Sequence, residues 1–427
     1  MKEWKENENR KPLIIRGARQ VGKTWIMKTF GQQYFEKTAY VNFDNNARMK
    51  QVFEGDLDIE RLVLSISAET GVSIEAENTL IIFDEVQEVP KALTSLKYFY
   101  ENAPQYAIVA AESLLGVALH QGTSFPVGKV DFLDLYPLNF REFLCAMGEK
   151  QFVSMLDSCD TQMVTVFKTK YIERLREYYF VGGMPEVVKD FSEKKDYNRV
   201  RAIQKNLINY YQQDFSKHAE IKLVPRLNLV WNSIPMQLAK ENKKYIYGQV
   251  REGSRAKDFE LAIQWLLDCG LIHKVQRIQK PDLPLKAYID FDAFKLFLVD
   301  IGLLIAMTDL DAKVIIEGNK IFTEFKGALT EQYILQQLIS DVGVIPYYYS
   351  TQNSKGEIDF LVQGKTSVIP IEVKAEENLK AKSLKAFCEK YQPSYAVRTS
   401  MSDYREQDWM TNIPLYAVKW IKNYVNQ

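Results

Sequence analysis

Leu13-Ile14-Ile15-Arg16 runs straight into Gly17-Ala18-Arg19-Gln20-Val21-Gly22-Lys23-Thr24, and Trp25 to Phe30 continues as a helix. This is the spacing G-x-x-x-x-G-K-[ST] with a strand before it and a helix after it, the context in which such a loop binds phosphate. The physical reason is local. The two glycines let the chain wrap tightly, so that backbone N–H groups turn inward towards phosphate oxygens. The helix start adds its positive end. Lys23 is expected to bridge β- and γ-phosphates, and the Thr24 hydroxyl to ligate Mg²⁺. Gly17, Ala18, Arg19, Gln20, Val21, Gly22, Lys23 and Thr24 are therefore the nucleotide-binding residues, with ATP and Mg²⁺ as the ligands.

Outward from this loop, short apolar runs alternate with helical stretches, the signature of a parallel α/β sheet. Strands are expected at Leu13–Ile15, Ala39–Asn42, Leu80–Phe83 and Ala107–Ala111. The run Leu80-Ile81-Ile82-Phe83 ends in Asp84-Glu85. Asp84 is positioned to hold Mg²⁺, and Glu85 to polarise the attacking water as general base. Ala107–Ala111 ends in Glu112-Ser113. Ser113 is either the polar residue that orients that water or a helix N-cap.

The bulk properties set bounds. A chain of 427 residues has room for two to three domains, at roughly 100–200 residues each. Lysine plus arginine equals aspartate plus glutamate, 55 against 55, so overall charge announces neither nucleic acid nor an anionic surface. Cys145, Cys159, Cys269 and Cys388 show no paired spacing, which suits a reducing compartment and argues against a zinc finger. Met1 to Lys11 is polar and charged, unlike a secretory signal. The most apolar run, Phe297 to Met307, is interrupted by Asp300 and is shorter than the ~20 residues a bilayer span needs. The expectation is a cytoplasmic protein with no membrane partner.

Beyond Leu144 the pattern turns helical. A long helix is expected over Gln162–Phe180, broken by Gly182-Gly183 and Pro185. Phe259, Ile263, Leu266 and Leu267 share one helical face, and Leu271–Ile278 with Ala287–Phe291 read as the strands of a wing. On the winged-helix reading, the helix from Ser254 to Cys269 offers Arg255 and Lys257 against Asp258, Glu260 and Asp268, a weak attraction for phosphate. The wing, with Lys274, Arg277, Lys280 and Lys286, is the better basic patch.

The last third has strands at Tyr347–Tyr349, Ile358–Val362, Val368–Val373 and Tyr395–Arg398, and a helix near Lys382–Tyr391. Residues two apart on a strand share a face, so Glu372 and Lys374 point the same way, and hairpin pairing brings Asp359 beside them. This is the D…E-x-K arrangement of restriction-type nucleases. Asp359 and Glu372 are candidate Mg²⁺ ligands, and Lys374 a candidate catalytic lysine that activates water or steadies phosphate charge. Glu331 on the preceding helix is a further carboxylate. A salt-bridged trio on a solvated sheet face has the same sequence.

Arg16–Thr24, the Asp84-Glu85 strand, Ser124-Phe125-Pro126-Val127-Gly128-Lys129, Pro137-Leu138-Asn139-Phe140 and Gly182-Gly183-Met184-Pro185-Glu186, in this order, resemble a large group of prokaryotic AAA+ ATPases. The C-terminal half of that group is a conserved domain of unknown function. The resemblance implies an α/β protein with an N-terminal AAA+ P-loop domain over 1–144. A central helical and winged-helix region over 145–310 follows, then a C-terminal α/β domain similar to restriction endonucleases over 311–427. Family members usually carry Gly where this chain has Glu112, and a carboxylate there would repel a γ-phosphate. The resemblance does not settle the arginine finger: Lys129 and Arg255 are candidates, and each reads more readily as a surface or structural charge.

The expected function is Mg²⁺-dependent ATP hydrolysis whose nucleotide state controls a DNA-directed, nuclease-like C-terminal domain. The alternative is a nucleotide switch that recruits protein partners through an inactive C-terminal scaffold. A kinase or a small-molecule NTPase fits poorly, given the long winged-helix and C-terminal extensions and because no acceptor-binding motif stands out. Candidate partners are ATP, DNA, proteins and, since AAA+ modules commonly form rings, further copies of the chain.

Overall fold

A computed structural model describes residues 1–113, 126, 128–240, 244–316, 323–351, 356–376 and 381–427. The chain divides into two compact units, one of residues 1–136 with 268–270, the other of the remaining residues from 137 onward.

The first unit is built on β1 (Leu13–Gly17), β2 (Lys37–Asn42), β3 (Thr79–Asp84), β4 (Ala107–Ser113) and β5 (Asp131–Asp134). Their order is β2-β3-β4-β1-β5, with every neighbouring pair parallel. Alternate residues go to opposite faces. Ile14, Val41, Ile81, Phe83 and Ile108 pack with Leu62, Ile66, Leu96 and Phe99 on one side. Leu13, Ile15, Leu80, Ile82 and Val109 pack with Trp4, Met27 and Phe30 on the other. Both faces being covered explains why these strands read as continuous apolar runs. Buried polar side chains enter at the C-terminal ends, with Asp84 on β3 and Glu112 on β4. Ligands of parallel α/β sheets bind at that edge. There β1 leads through the glycine loop into α1 (Lys23–Tyr34).

In the second unit the expected long helix is two, Thr161–Val166 and α2 (Lys168–Val181), with α3 (Tyr197–His218) and α4 (Ala256–Asp268) following. Eight strands form one mixed sheet. They are β6 (Ile272–Ile278), β7 (Ile289–Leu298), β8 (Tyr347–Ser350), β9 (Glu357–Gln363), β10 (Val368–Val373), β11 (Val397–Ser400), β12 (Arg405–Gln407) and β13 (Met410–Pro414). The order is β12-β13-β11-β10-β9-β8-β6-β7. The hairpin read as a wing is thus the edge of the C-terminal sheet, since β6 pairs with β7 antiparallel and with β8 parallel. Its second strand is also longer than expected, reaching Leu298. The helices α5 (Ile301–Met307), α6 (Thr323–Gln337) and α7 (Lys382–Tyr391) complete the elements used below.

The two family-like motifs at Pro137 and Gly182 meet in a buried joint. Gly182 is left-handed at φ +74°, and a Cβ on it would lie 2.3 Å from Asp300 Oδ1. A Cβ on Gly183 would lie 2.1 Å from the Leu138 carbonyl oxygen. The space left by both glycines lets Gly183 N–H donate to Asp300 Oδ2 (2.6 Å), and Leu138 N–H donate to the Gly183 carbonyl (2.7 Å). Tyr178 donates to the Leu138 carbonyl (2.6 Å), while Gln336 and Gln337 on α6 accept from Ile301 N–H and Phe140 N–H. These glycines are conformational necessities of a packing joint, where any side chain would collide with backbone or a buried acid.

Candidate functional site: a phosphate cradle and a buried carboxylate cluster

In the first unit the loop expected to cradle phosphate leads from β1 into α1. Gly22 sits at φ +95° and forms the N-terminal boundary of α1. Lys23, next in the chain, is buried, and its Nζ donates to the carbonyls of Gly17 (3.0 Å) and Ala18 (2.9 Å). Burial, opposed by Glu85 and Asp84, lowers the ammonium to about 8. Such an ammonium gains from an incoming anion, because phosphate oxygens replace solvent it has already lost.

Thr24 donates to Asp84 Oδ2 at 2.6 Å, and Tyr40 donates to the same oxygen at 2.8 Å. Asp84 Oδ1 accepts the N–H of Glu85 at 3.1 Å. A hydroxyl and a carboxylate oxygen in contact at the end of the loop are the hard donors that Mg²⁺ takes, so the residues present fit that ion. Tyr40 was not anticipated from sequence. It lies two residues before the end of β2, and only the β2–β3 register places it by Asp84.

Glu85 adopts a left-handed backbone at φ +52°, uncommon for a residue with a Cβ, and its carboxylate accepts from Gln87 Nε2. The backbone of Ser113 pairs with Gly17, at the mouth of the cradle. Its side chain lies outside the described residues, as do 124, 125 and 127 of the Ser124–Lys129 motif. Glu112 is 1% exposed, and neither carboxylate oxygen has a hydrogen-bond partner among the described residues. Lys129 pairs with Glu101 at 3.0 Å, the structural role that was one of its two readings. Arg255 is exposed, and its backbone N–H bonds to the Asp258 side chain at the start of α4.

In the second unit β9 and β10 form the expected antiparallel hairpin, with Phe360 opposite Ile371. Asp359 Oδ2 accepts the N–H of Val373 (2.7 Å), and Lys374 Nζ lies 2.7 Å from Glu372 Oε1. Glu372 is buried, with Oε2 unpartnered among the described residues. Burial would lower Lys374, but Glu372, Asp359 and Glu331 outweigh it and raise the ammonium above its ordinary value.

Lys295 on β7 escaped the sequence reading altogether. It is fully buried, bonded to Glu357 Oε1 and 3.6 Å from Glu331 Oε2. Burial again works against the charge, yet Glu331, Glu357 and Asp359 together hold it well above the usual lysine range. The signal was a single lysine inside the apolar run Phe294–Leu298, which a buried acid must match. No group of three or more His, Cys, Asp or Glu side chains able to hold a metal ion occurs among the described residues. Asp359 and Glu372, with one orphaned oxygen, suit at most a single hard cation, which keeps most of its water.

The basic patch of the expected wing is partly neutralised. Arg277 is paired with Asp290, Lys280 with Asp282 at 2.7 Å, and Lys274 lies over the Phe294 ring. Lys286 is exposed. Among the described residues no helix is long and apolar enough to cross a membrane.

Comparison with known families agrees with the N-terminal geometry. Residues 9–144 match the family described as AAA domain. Residues 172–314 match a domain of unknown function (DUF8612), and residues 326–418 another (DUF4143). The first unit therefore carries a P-loop ATPase domain of the AAA type. No curated protein matches the sequence. Among solved structures, the Walker-type ATPase PABY2304 of Pyrococcus abyssi is similar at 13% identity and TM-score 0.43, over 72% of this chain and 93% of that one. The Thermotoga maritima RuvB Holliday junction branch migration motor is similar at 12% identity and TM-score 0.29, over 64% of this chain and 84% of that one. Drosophila ORC bound to DNA is similar at 13% identity and TM-score 0.25, over 69% and 88%.

Proposed function

We propose that this protein is an Mg²⁺-dependent ATPase whose nucleotide state controls a DNA-directed, nuclease-like C-terminal region. The observation that carries the ATPase reading is the Thr24–Asp84 contact beside the buried, carbonyl-bound Lys23. A hydroxyl–carboxylate oxygen pair suited to Mg²⁺ beside an ammonium suited to phosphate supports this reading. When bound, Mg²⁺ neutralises charge on the triphosphate. The chain's own part is to cradle the phosphates with the N–H groups of 17–24, to bring Lys23 onto phosphate oxygens, and to aim Glu85 at the attacking water. Gln87 restrains that carboxylate. Ser113 at the end of β4 is the further candidate for orienting the water.

The nuclease-like reading is supported by the adjacency of Asp359, Glu372 and Lys374 at one end of the β9–β10 hairpin. In it Lys374 steadies charge on a scissile phosphate and the two carboxylates hold a cation. A second reading, a nucleotide switch with a scaffold for protein partners at its C-terminus, is favoured by one observation: Lys295 already matches much of the local negative charge. The test is incubation of the full chain with supercoiled, linear and single-stranded DNA in Mg²⁺ or Mn²⁺, with and without ATP. Cleavage lost in Asp359→Ala supports the nuclease, and cleavage lost in Lys23→Ala supports its control by nucleotide. ATP turnover with every DNA left intact favours the scaffold.

A further inference from the structure

Glu112 is a poor fit for an ordinary ionised carboxylate. It stands on β4 directly opposite Arg16 of β1, one residue before the pair Ser113–Gly17 that opens the phosphate loop. It is 1% exposed, and neither oxygen has a hydrogen-bond partner among the described residues. The basic groups that face it are committed elsewhere. Arg16 donates to Asp134 Oδ1 (3.0 Å) and lies 4.3 Å from the Phe132 ring centre. Lys23, on α1, donates to the loop carbonyls. Around the same lysine lie Asp84 and Glu85 from the end of β3, which add negative charge, and Arg19 from the loop, which opposes it. Burial dominates at Glu112, with Arg16 and Lys23 in opposition, and pushes the carboxyl up to about 7.

A triphosphate entering residues 17–24 brings several negative charges towards this group and draws the Lys23 ammonium onto its own oxygens. Two anions then compete for one lysine in a dry site, and like charges so placed do not both stay ionised. A triphosphate carrying Mg²⁺ resists protonation, whereas the buried carboxylate needs only a proton from solvent. Protonated, it also changes role, because a neutral carboxyl is an O–H donor while its ionised form can only accept.

We propose that Glu112 is a proton-coupled positioning residue of the nucleotide site: the triphosphate binds the form in which the Glu112 carboxyl is neutral, so each nucleotide bound draws a proton from solvent. This rests on the reading that ATP binds at residues 17–24. By linkage the coupling gives affinity a pH dependence. Affinity is highest in acid, and falls by up to about tenfold per pH unit once the free protein's carboxyl has ionised. Lys23 takes up a proton of its own where it begins deprotonated, so the comparison belongs below its value of about 8.

The experiment is calorimetric titration of the full chain with Mg²⁺ and adenylyl imidodiphosphate at about pH 7.5, in two buffers of different ionisation enthalpy. Wild type is compared with Glu112→Gln, which cannot ionise. The expected result is greater proton uptake by wild type, by as much as one proton, and a flatter affinity profile in the variant. Equal proton counts in the two proteins overturn the proposal even when both bind nucleotide. Failure of wild type to bind at all removes the nucleotide reading itself, and the proposal with it. Should Glu112→Gln not fold, difference infrared spectroscopy on wild type decides. A protonated-carboxyl band gained on nucleotide binding supports the coupling, and no such band overturns it.

Discussion

Two buried lysines, one in each unit, are treated in opposite ways. Lys23 has carbonyl oxygens for company and no ion pair among the described residues, and burial draws its ammonium down to about 8. Lys295 is more deeply buried, yet Glu331, Glu357 and Asp359 hold its charge firmly in place. The first has acids in its neighbourhood but none paired with it among the described residues, which leaves its ammonium open to an incoming anion. The second has its counter-charges supplied by the chain, which is what a fixed polar core needs. Burial alone does not separate a ligand site from a structural ion pair; the identity of the partners does.

This contrast can be broken by substitution, beginning where the effect is largest. Lys295→Met leaves the buried Glu331 and the half-buried Glu357 without their cation, and is expected to destabilise the chain by about 3 kcal/mol in chemical denaturation. A near-neutral result would mean that those carboxylates are already protonated or solvated. Lys23→Ala is expected to cut ATP turnover by about a hundredfold or more, read by phosphate release, with little change in stability. An unaltered rate would remove Lys23 from the site.

Glu112→Gln sharpens the comparison with an acid. Its folded value of about 7 lies above the ordinary 4.5, so the ionised form opposes folding. The penalty is full above about pH 7, shrinks as pH falls, and is gone below 4.5. The variant is therefore expected to be more stable than wild type by about 3 kcal/mol at pH 8. The two denaturation curves are expected to converge in acid. Tyr40→Phe removes one of the hydrogen bonds to Asp84, worth about 1 kcal/mol. It is expected to raise the Mg²⁺ concentration for half-maximal ATPase activity several-fold while leaving kcat at saturating Mg²⁺ nearly intact.

How much of this was readable beforehand follows the distance between partners. The cradle was legible because its chemistry is contiguous: Gly17 to Thr24 carry their own geometry, and a strand and a helix flank them. Asp84 was legible as the end of an apolar strand. Tyr40 was not, because its contact depends on strand register. Lys295 was hidden more thoroughly, since Glu357 lies 62 residues away and belongs to another part of the sheet. The glycine pair at 182 and 183 was visible as a motif, but its purpose was not, because the Leu138 and Asp300 atoms that exclude a side chain are distant in sequence. The wing was recognised as a hairpin; only the pairing of β6 with β8 shows it continuing into the C-terminal sheet.

That same β6–β8 pairing has a practical consequence for dissecting the protein. A fragment beginning near residue 311 would discard the two edge strands, strip Glu331 and Glu357 of Lys295, and take α6 away from Ile301 and Phe140. The edge of β8 would be left with raw backbone donors and acceptors, an invitation to aggregate. Anyone assaying the C-terminal carboxylates in isolation should therefore cut ahead of Pro137 and keep the whole second unit, since a shorter piece would report on misfolding rather than on chemistry.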